Sequence, residues 1–468
     1  MKINKLLIDS FWTIGGQLIS LIVVLISNII LARLLSPAEF GELAITMFFI
    51  SIFNVFTDGG MAAALVRKQD KIQDDYSTVF TFNFIISLFF FIFSVCISGF
   101  ISRYYKISTL KTTIIFASLI LIISSFQTIQ NVKLLQKLEF KKRSLINLTS
   151  TLLGVIVGLA TAYYLRTGVF ALVSIPVTTV IVQTILYNYY EGFYFKLKFK
   201  KSSFRELFGF GINTTMISVL NIGFNNVYQI IMGRIFSINQ VGYFYQAQKL
   251  QDVPNNIVNN LSQSVFYSTL SKKQNKIEEL VKIYQLISRT SLSLMGLAVI
   301  IFLFFGQDII LVLFGDKWVE SAYYIKFLIC GSLFYTQELI NKIIFKIFNK
   351  TRILLKLEIF KKLVHTATLL IGIYTRSIEI FMYGFIATNI FSYSFNYYQT
   401  NKIIKMGKDE IINFIKILML ISILSIINYY NYQTGLRSNL FSFCLIIIYC
   451  LSLNILNILK LKELKESK

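Results

Sequence analysis

The feature that most constrains this chain is the length of its apolar runs. From Phe11 to Leu35 the only charge is Arg33, and runs of similar length recur as far as residue 458, separated by short bursts of Lys and Arg. Inside a bilayer every backbone N–H and C=O must find its partner within the protein, so runs of about 20 apolar residues read as spanning helices. Fourteen of them would take up roughly 280 residues, about 60% of the chain. With 55% hydrophobic and 15% charged residues, and a mean hydropathy of +0.65, too little polar side chain is left to clothe a soluble domain. The expected fold class is all-α: a polytopic integral membrane protein of about 14 transmembrane helices.

Spans are expected at 11–35, 43–66, 79–101, 112–132, 147–165, 169–190, 208–235, 241–270, 286–306, 323–345, 358–374, 379–398, 411–430 and 439–458. Positive charge gathers in cytoplasmic loops and sets the orientation. With the N-terminus inside, the cytoplasmic segments hold 33 Lys and Arg and the opposite loops hold nine. The inner set comprises Lys2 and Lys5, Arg67 to Lys71, Lys133 to Arg143, Lys196 to Arg205, Lys272 to Lys282, Lys342 to Lys362, Lys402 to Lys408 and Lys460 to Lys468. Both termini are therefore expected in the cytoplasm. The formal charge of +23 reads as this topology and not as a nucleic-acid surface. The first run is too long for a signal-peptide core and lacks a small-residue cleavage pattern, so it reads as an uncleaved span. The eighth run, 241–270, is polar. Treating it as a loop would move Lys342 to Lys362 outside, so it too is expected to span.

Two segments match at an offset of 201 residues. Ile30-Leu31-Ala32-Arg33-Leu34-Leu35-Ser36 pairs with Ile231-Met232-Gly233-Arg234-Ile235-Phe236-Ser237, and Glu39 and Gly41 pair with Gln240 and Gly242. Both close an outward-going span, so the repeats are parallel, related by an axis along the membrane normal. Two pseudo-symmetric six-helix lobes are expected, 1–200 and 201–400, with a cavity between them. Residues 401–468 would add two transmembrane helices and a cytoplasmic tail.

Ionisable residues inside a membrane are costly and mark functional candidates. In the eighth span Asp252, Asn255, Asn256, Asn259, Asn260 and Gln263 fall on one helical face, spaced by three and four residues. Lys249 lies one turn before Asp252, and Pro254 removes a backbone hydrogen bond there. A water-filled cavity is the favoured reading of this face, against a polar packing seam. Asp58, one turn after Asn54 and before Gly59-Gly60, is either a protonatable coupling site or a carboxylate paired to an arginine. Arg33 and Arg234 end spans one and seven, where they either face the cavity or snorkel to the interface. Arg289 and Lys326 lie near span ends, with Glu338 deeper in span ten. Cations facing a cavity would suit a phosphate-bearing substrate. His365, near Glu358, Lys361 and Lys362, reads as part of a solvated helix start.

Several functions are argued against by what the sequence contains. Cys96, Cys330, Cys444 and Cys450 form no CxxC pair and read as small buried hydrophobes. A single histidine argues against a His-ligated metal site, and no GxxxxGK[ST] phosphate loop occurs. No catalytic residue, metal or cofactor is expected. The longest outer loop, 307–322, is itself apolar and too short for an extracytoplasmic enzyme.

The stretches LARLLSPAEFGELAI (31–45), FTDGGMAAALVRK (56–68), DDYSTVFTFN (74–83), GYFYQAQKLQDVPNNI (242–257) and FGDKW (314–318) resemble bacterial polysaccharide-exporting flippases. These form the lipopolysaccharide, colanic-acid and teichuronic-acid branch of the multidrug/oligosaccharidyl-lipid/polysaccharide exporter superfamily. The resemblance implies a two-lobed, alternating-access transporter in the bacterial cytoplasmic membrane. It would flip an undecaprenyl-diphosphate-linked oligosaccharide for O-antigen, capsule or exopolysaccharide synthesis. The implied partners are that lipid-linked oligosaccharide, membrane lipids, a polymerase and other proteins of the pathway, and no nucleic acid. It also implies a cationic cavity, for which Arg33, Arg234, Lys249, Arg289 and Lys326 are the candidates by position. The alternatives are a cation-coupled multidrug exporter of the same superfamily and a membrane polysaccharide polymerase or ligase.

Overall fold

The computed structural model describes residues 3–68, 70, 72–194, 196–407, 409–433, 441–442 and 444–450, and every regular element among them is helical. The expected span 439–458 lies mostly outside the described residues, as do Lys2, Lys71, Lys408, Arg437 and Lys460 to Lys468. By packing, the chain divides into two compact units, Met1–Tyr245 and Gln246–Lys468.

The first unit contains α1 (Ile3–Leu34), α2 (Pro37–Asp58), α3 (Met61–Arg67), α4 (Gln73–Tyr105), α5 (Leu110–Ser125), α6 (Thr128–Gln136), α7 (Phe140–Ala160), α8 (Val169–Glu191) and α9 (Lys201–Ile235). It also takes the first residues of α10 (Ile238–Leu261). The second unit takes the rest of α10, a π turn at Ser262–Phe266 and α11 (Tyr267–Ser271). After these come α12 (Ile277–Phe314), α13 (Ser321–Ile347), α14 (Thr351–Thr375), α15 (Ile378–Ile404) and α16 (Asp409–Gln433).

The helices are inside out relative to those of a soluble protein. On α4, Ser87, Ser94 and Ser98 are fully buried, whereas Phe89, Ile92 and Phe100 are more than half exposed. The buried hydroxyls donate to carbonyls of their own helix, Phe84 O, Phe90 O and Val95 O, at 2.7–2.8 Å. Small residues let neighbouring helices approach closely, and large apolar ones turn to the solvent. Only lipid makes that solvent favourable.

By length and apolarity alone, seven helices among the described residues qualify as spans, or nine if each bent pair counts as one. The expected count of fourteen is not established by this. The expected spans two, four and eight are each interrupted. Span two breaks at Gly59-Gly60, with φ of 55° and 67°, a left-handed conformation that glycine adopts at no steric cost. Span four bends by 46° between α5 and α6. Other helices outrun their expected limits: α12 includes Ile309 to Phe314, so the apolar part of the outer loop is helix, and α14 starts seven residues early. Two expectations change as a result. His365 sits in the middle of α14, half-buried, instead of at a solvated start. Lys342 and Lys361, counted with a cytoplasmic loop, lie within α13 and α14. The cysteines also differ: Cys96 and Cys444 are exposed and Cys330 and Cys450 half-buried, because the outward face in lipid is itself apolar.

The packing boundary at 245/246 does not coincide with a lobe boundary at 200/201, because α9 packs on α2, α3 and α4. The tightest point of that packing is glycine on glycine. A Cβ on Gly60 would overlap the Gly211 carbonyl, and one on Gly211 the carbonyl of Gly59.

Start signals for α2 were present in the sequence. Pro37 occupies the first helical position, the Ser36 amide donates to Glu39 Oε2 at 2.6 Å, and the Ser36 side chain faces the Glu39 backbone N–H in return, the reciprocal arrangement expected of a capped helix start. The start of α10 crosses the start of α2. A Cβ on Gly41 would overlap the Ile238 carbonyl, and one on Gly242 the Pro37 carbonyl. A shift of 201 residues turns Pro37 into position 238 and Gly41 into position 242. The contact is therefore reciprocal, residue i on j and j on i, as a two-fold axis between equivalent surfaces requires.

Candidate functional site

The most concentrated buried charge among the described residues lies in the second unit, between α13 and α14. Glu338 is fully buried. One of its oxygens lies 2.5 Å from Lys342 Nζ and the other 2.8 Å from Lys361 Nζ. Lys342 also pairs with Glu358. Glu338 is nine residues from the end of α13 and Lys361 ten from the start of α14, roughly 14–15 Å at 1.5 Å per residue. That is about half of a hydrocarbon core. Lys342 acts electrostatically on Lys346 and Lys362. Lys342 and Lys361 balance Glu338 and Glu358, while Lys346, exposed one residue from the end of α13, and half-buried Lys362 lie at the margin.

Tyr335 joins the cluster to α10. Lys361 Nζ lies 5.4 Å from its ring centre, and Asp252, Glu338, Glu358 and Lys342 all act on it electrostatically. The polar face of α10 turns toward α13. Gln251 is buried and donates to Ser332 Oγ at 2.7 Å and Leu328 O at 2.9 Å. Lys346 Nζ donates to Gln263 Oε1 at 3.2 Å. Between these anchors Asp252, Asn255 and Asn259 are half-buried, and Lys249 and Asn256 are exposed. Lys249 acts electrostatically on Asp252. The Asn255 side-chain oxygen is buried without a hydrogen-bond partner.

The remaining expected residues are placed elsewhere. Arg289 belongs to a separate group: its Nε lies 3.8 Å from Glu410 Oε2, and Ser288 bonds both Glu410 and Gln337. Lys326 is exposed, twelve residues before Glu338 on the same helix, roughly 18 Å away. Arg33 and Arg234 are exposed at the ends of α1 and α9, with Arg234 stacked 4.8 Å over the Tyr104 ring. Asp58 ends α2, and its carboxylate accepts the backbone N–H groups of Gly60 and Ala62, so it caps α3 across the glycine break. The structure thus gathers Lys249, Asp252, the asparagines and Glu338 in one unit. Lys342, Lys361 and Glu358 complete the group. They were hidden because a Lys-rich stretch at a span end reads as a loop. The one available signal was spacing: Glu338 and Lys342 are four apart, and Glu358 and Lys361 three, on helical faces.

A family model described as "Polysaccharide biosynthesis protein" matches residues 30–323, more than half of the chain. A Klebsiella pneumoniae protein, "Uncharacterized membrane protein in cps region", is 25% identical over 317 residues, 66% of this chain and 64% of the relative. The Escherichia coli "Lipopolysaccharide biosynthesis protein WzxC" is 21% identical over 322 residues, 67% of this chain and 64% of the relative. The match thus spans less than two thirds of either relative. Among solved structures, "Lipid II flippase MurJ, inward closed conformation" aligns over 97% of this chain and 99% of its own, with a TM-score of 0.74 at 15% identity. At that identity the likeness shows the fold. The chain is a multi-pass membrane protein with this transporter fold, and it belongs to the polysaccharide biosynthesis protein family.

Proposed function

We propose that this protein moves an undecaprenyl-diphosphate-linked oligosaccharide repeat unit across the cytoplasmic membrane, from the inner to the outer leaflet, with both termini in the cytoplasm. The observation that carries the reading is the buried pair of lysines, Lys342 and Lys361, on Glu338, with Glu358 beside Lys342. Charged groups about halfway along two helices are costly to keep. An anionic diphosphate headgroup is a partner suited to the Lys342 and Lys361 ammonium groups through charge-assisted hydrogen bonds. The polar face of α10, with Asp252, Asn255 and Asn259, offers donors and acceptors suited to sugar hydroxyls beside that headgroup. No bond is made or broken in this reading. Two six-helix lobes around a shared cavity, followed by two further helices, are the architecture it uses.

The test is deletion of the gene and analysis of lipid-linked oligosaccharide in each leaflet. Complete repeat units held on the cytoplasmic face, with surface polymer lost, support the reading. Accumulation on the outer face means that flipping is intact and overturns it. An unchanged pathway overturns it too and turns attention to drug export.

A further inference from the structure

Four acidic residues are buried among the described residues: Glu42, Asp75, Glu338 and Glu410. Three face a cation, namely Lys68 for Asp75, Lys342 and Lys361 for Glu338, and Arg289 for Glu410. Glu42 does not. It lies on α2, five residues in from Pro37, and its two oxygens take hydroxyls from α5: Thr109 Oγ1 donates to Oε2 and Thr113 Oγ1 to Oε1, each at 2.7 Å. The charged neighbour that acts on it is Glu39, one turn earlier on the same helix. The basic groups at this end of α2 and the helices packed around it are Arg33, Arg103, Lys106, Lys111, Arg166 and Arg234. All six are exposed, and none forms an ion pair with Glu42.

A buried carboxylate with two neutral donors and an acidic neighbour lacks one positive charge. Thr113 supplies a device for taking it up. Its hydroxyl lies 2.7 Å from Glu42 Oε1 and 2.9 Å from the Thr109 carbonyl, so it has two acceptors for one hydrogen. With Glu42 ionised, the hydroxyl donates to the carboxylate. With Glu42 neutral, it turns to the Thr109 carbonyl and accepts the new carboxylic O–H. Either state leaves every hydrogen-bonding group satisfied, so neither carries the cost of an orphaned polar atom.

We propose that Glu42, with Thr109 and Thr113, is a proton-binding site of the first unit, loaded and emptied at the α2–α5 end of the membrane. One proton passes from water to Oε1, and the site goes from −1 to neutral. Its existence does not depend on the substrate; its use in driving translocation rests on the function proposed above.

The full-length protein in lipid nanodiscs is compared between pH 5 and pH 8 by infrared difference spectroscopy of the carboxyl stretch. Wild type should show a titrating carboxylic-acid band that Glu42→Gln lacks. Thr113→Val should change proton affinity about tenfold, and Thr113→Ser, which keeps the hydroxyl, should change it less than twofold. A difference spectrum identical in wild type and Glu42→Gln overturns the site. So does a band that responds to exchange of sodium for choline at constant pH, which would make the site an alkali-cation site. Thr113→Ser and Glu42→Asp keep the test decisive if Glu42→Gln does not fold, since Glu42→Asp must retain a titrating band. Loss of surface polymer plays no part in this readout, so failure of the transport reading and failure of the proton site are told apart.

Discussion

Replacing Glu338 by Gln is the sharpest perturbation of the buried cluster, because its effects on stability and on transport separate. Glu338 holds two ammonium groups, at 2.5 and 2.8 Å, and is fully buried. Removing one partner of a buried pair costs about 3–5 kcal/mol, because it leaves the other charge uncompensated, and at 1.4 kcal/mol per decade that is roughly two to four powers of ten in the folded population. The geometry ranks the variants. Glu338→Gln strands Lys361, whose one carboxylate partner among the described residues is Glu338. Lys342→Met leaves Glu338 with Lys361 and strands Glu358, which is one-third exposed and can hydrate. Lys361→Met leaves both glutamates with Lys342 and should cost least. An all-apolar variant, Glu338→Leu with Lys342→Met and Lys361→Leu, should recover most of the stability, since apolar groups of similar volume often replace buried ion pairs at no cost. Thermal unfolding of the purified proteins reads this order, and surface polysaccharide in a deletion strain reads transport. If the lysines hold a diphosphate, the all-apolar variant is folded and inactive. A variant that is both stable and fully active would refute the site. A Glu338→Gln cost below about 0.5 kcal/mol, the range of surface substitutions, would refute the pairing argument itself.

Three further outcomes follow from the same structure. Gly242→Val places a branched side chain against the Pro37 carbonyl; backbone cannot step aside as a side chain does, so the cost should exceed the 1–3 kcal/mol typical of overpacking, read as a lower unfolding temperature and lower membrane abundance than for Gly209→Val, where nothing obstructs a Cβ. Asp58→Asn keeps an oxygen for the Gly60 and Ala62 amides and should support normal surface polymer, whereas Asp58→Ala should lose about 1 kcal/mol as a lost helix cap; loss of export in a stable Asp58→Asn would restore Asp58 as a coupling residue. The double substitution Lys249→Ala with Asp252→Ala should abolish surface polysaccharide while leaving protein level and membrane insertion unchanged, measured by immunoblot of membranes beside polymer staining, and normal export would remove the α10 face from the site.

Apolar run length was enough to read the all-helical membrane fold, because a bilayer leaves the backbone few alternatives. Helix ends were less legible. The span from 43 to 66 carries no charge but Asp58, and nothing in its hydropathy reveals that Gly59 and Gly60 both take positive φ. The cluster of Glu338, Lys342, Glu358 and Lys361 was concealed for a related reason. Charge statistics assign lysines at a span end to water, and pairing across two helices cannot be seen in one helix's hydropathy. Asp58 went the other way. An acid inside an apolar run looks functional, and only the geometry of the break shows its oxygens engaged by backbone amides.

The repeat carries information beyond the crossing at Gly41 and Gly242. At the same offset of 201, Asn54 falls on Asn255 and Asp58 on Asn259, so the interior polar positions of α2 and α10 occupy one register. The two helices then part where their sequences do. Gly59 and Gly60 correspond to Asn260 and Leu261. Without the glycine pair, α10 stays helical through Leu261 and widens into the π turn at Ser262–Phe266, a local widening often found at functional sites. Glu42, buried between two threonine hydroxyls, corresponds to Tyr243, and Ser51 corresponds to Asp252. A shared scaffold held by glycine at the crossing has thus been given an uncompensated acid in one repeat and a lysine-linked acid in the other. Symmetry accounts for where the helices run. The departures from it, Glu42 in the first repeat and Lys249 with Asp252 in the second, are where chemistry specific to each half is to be sought.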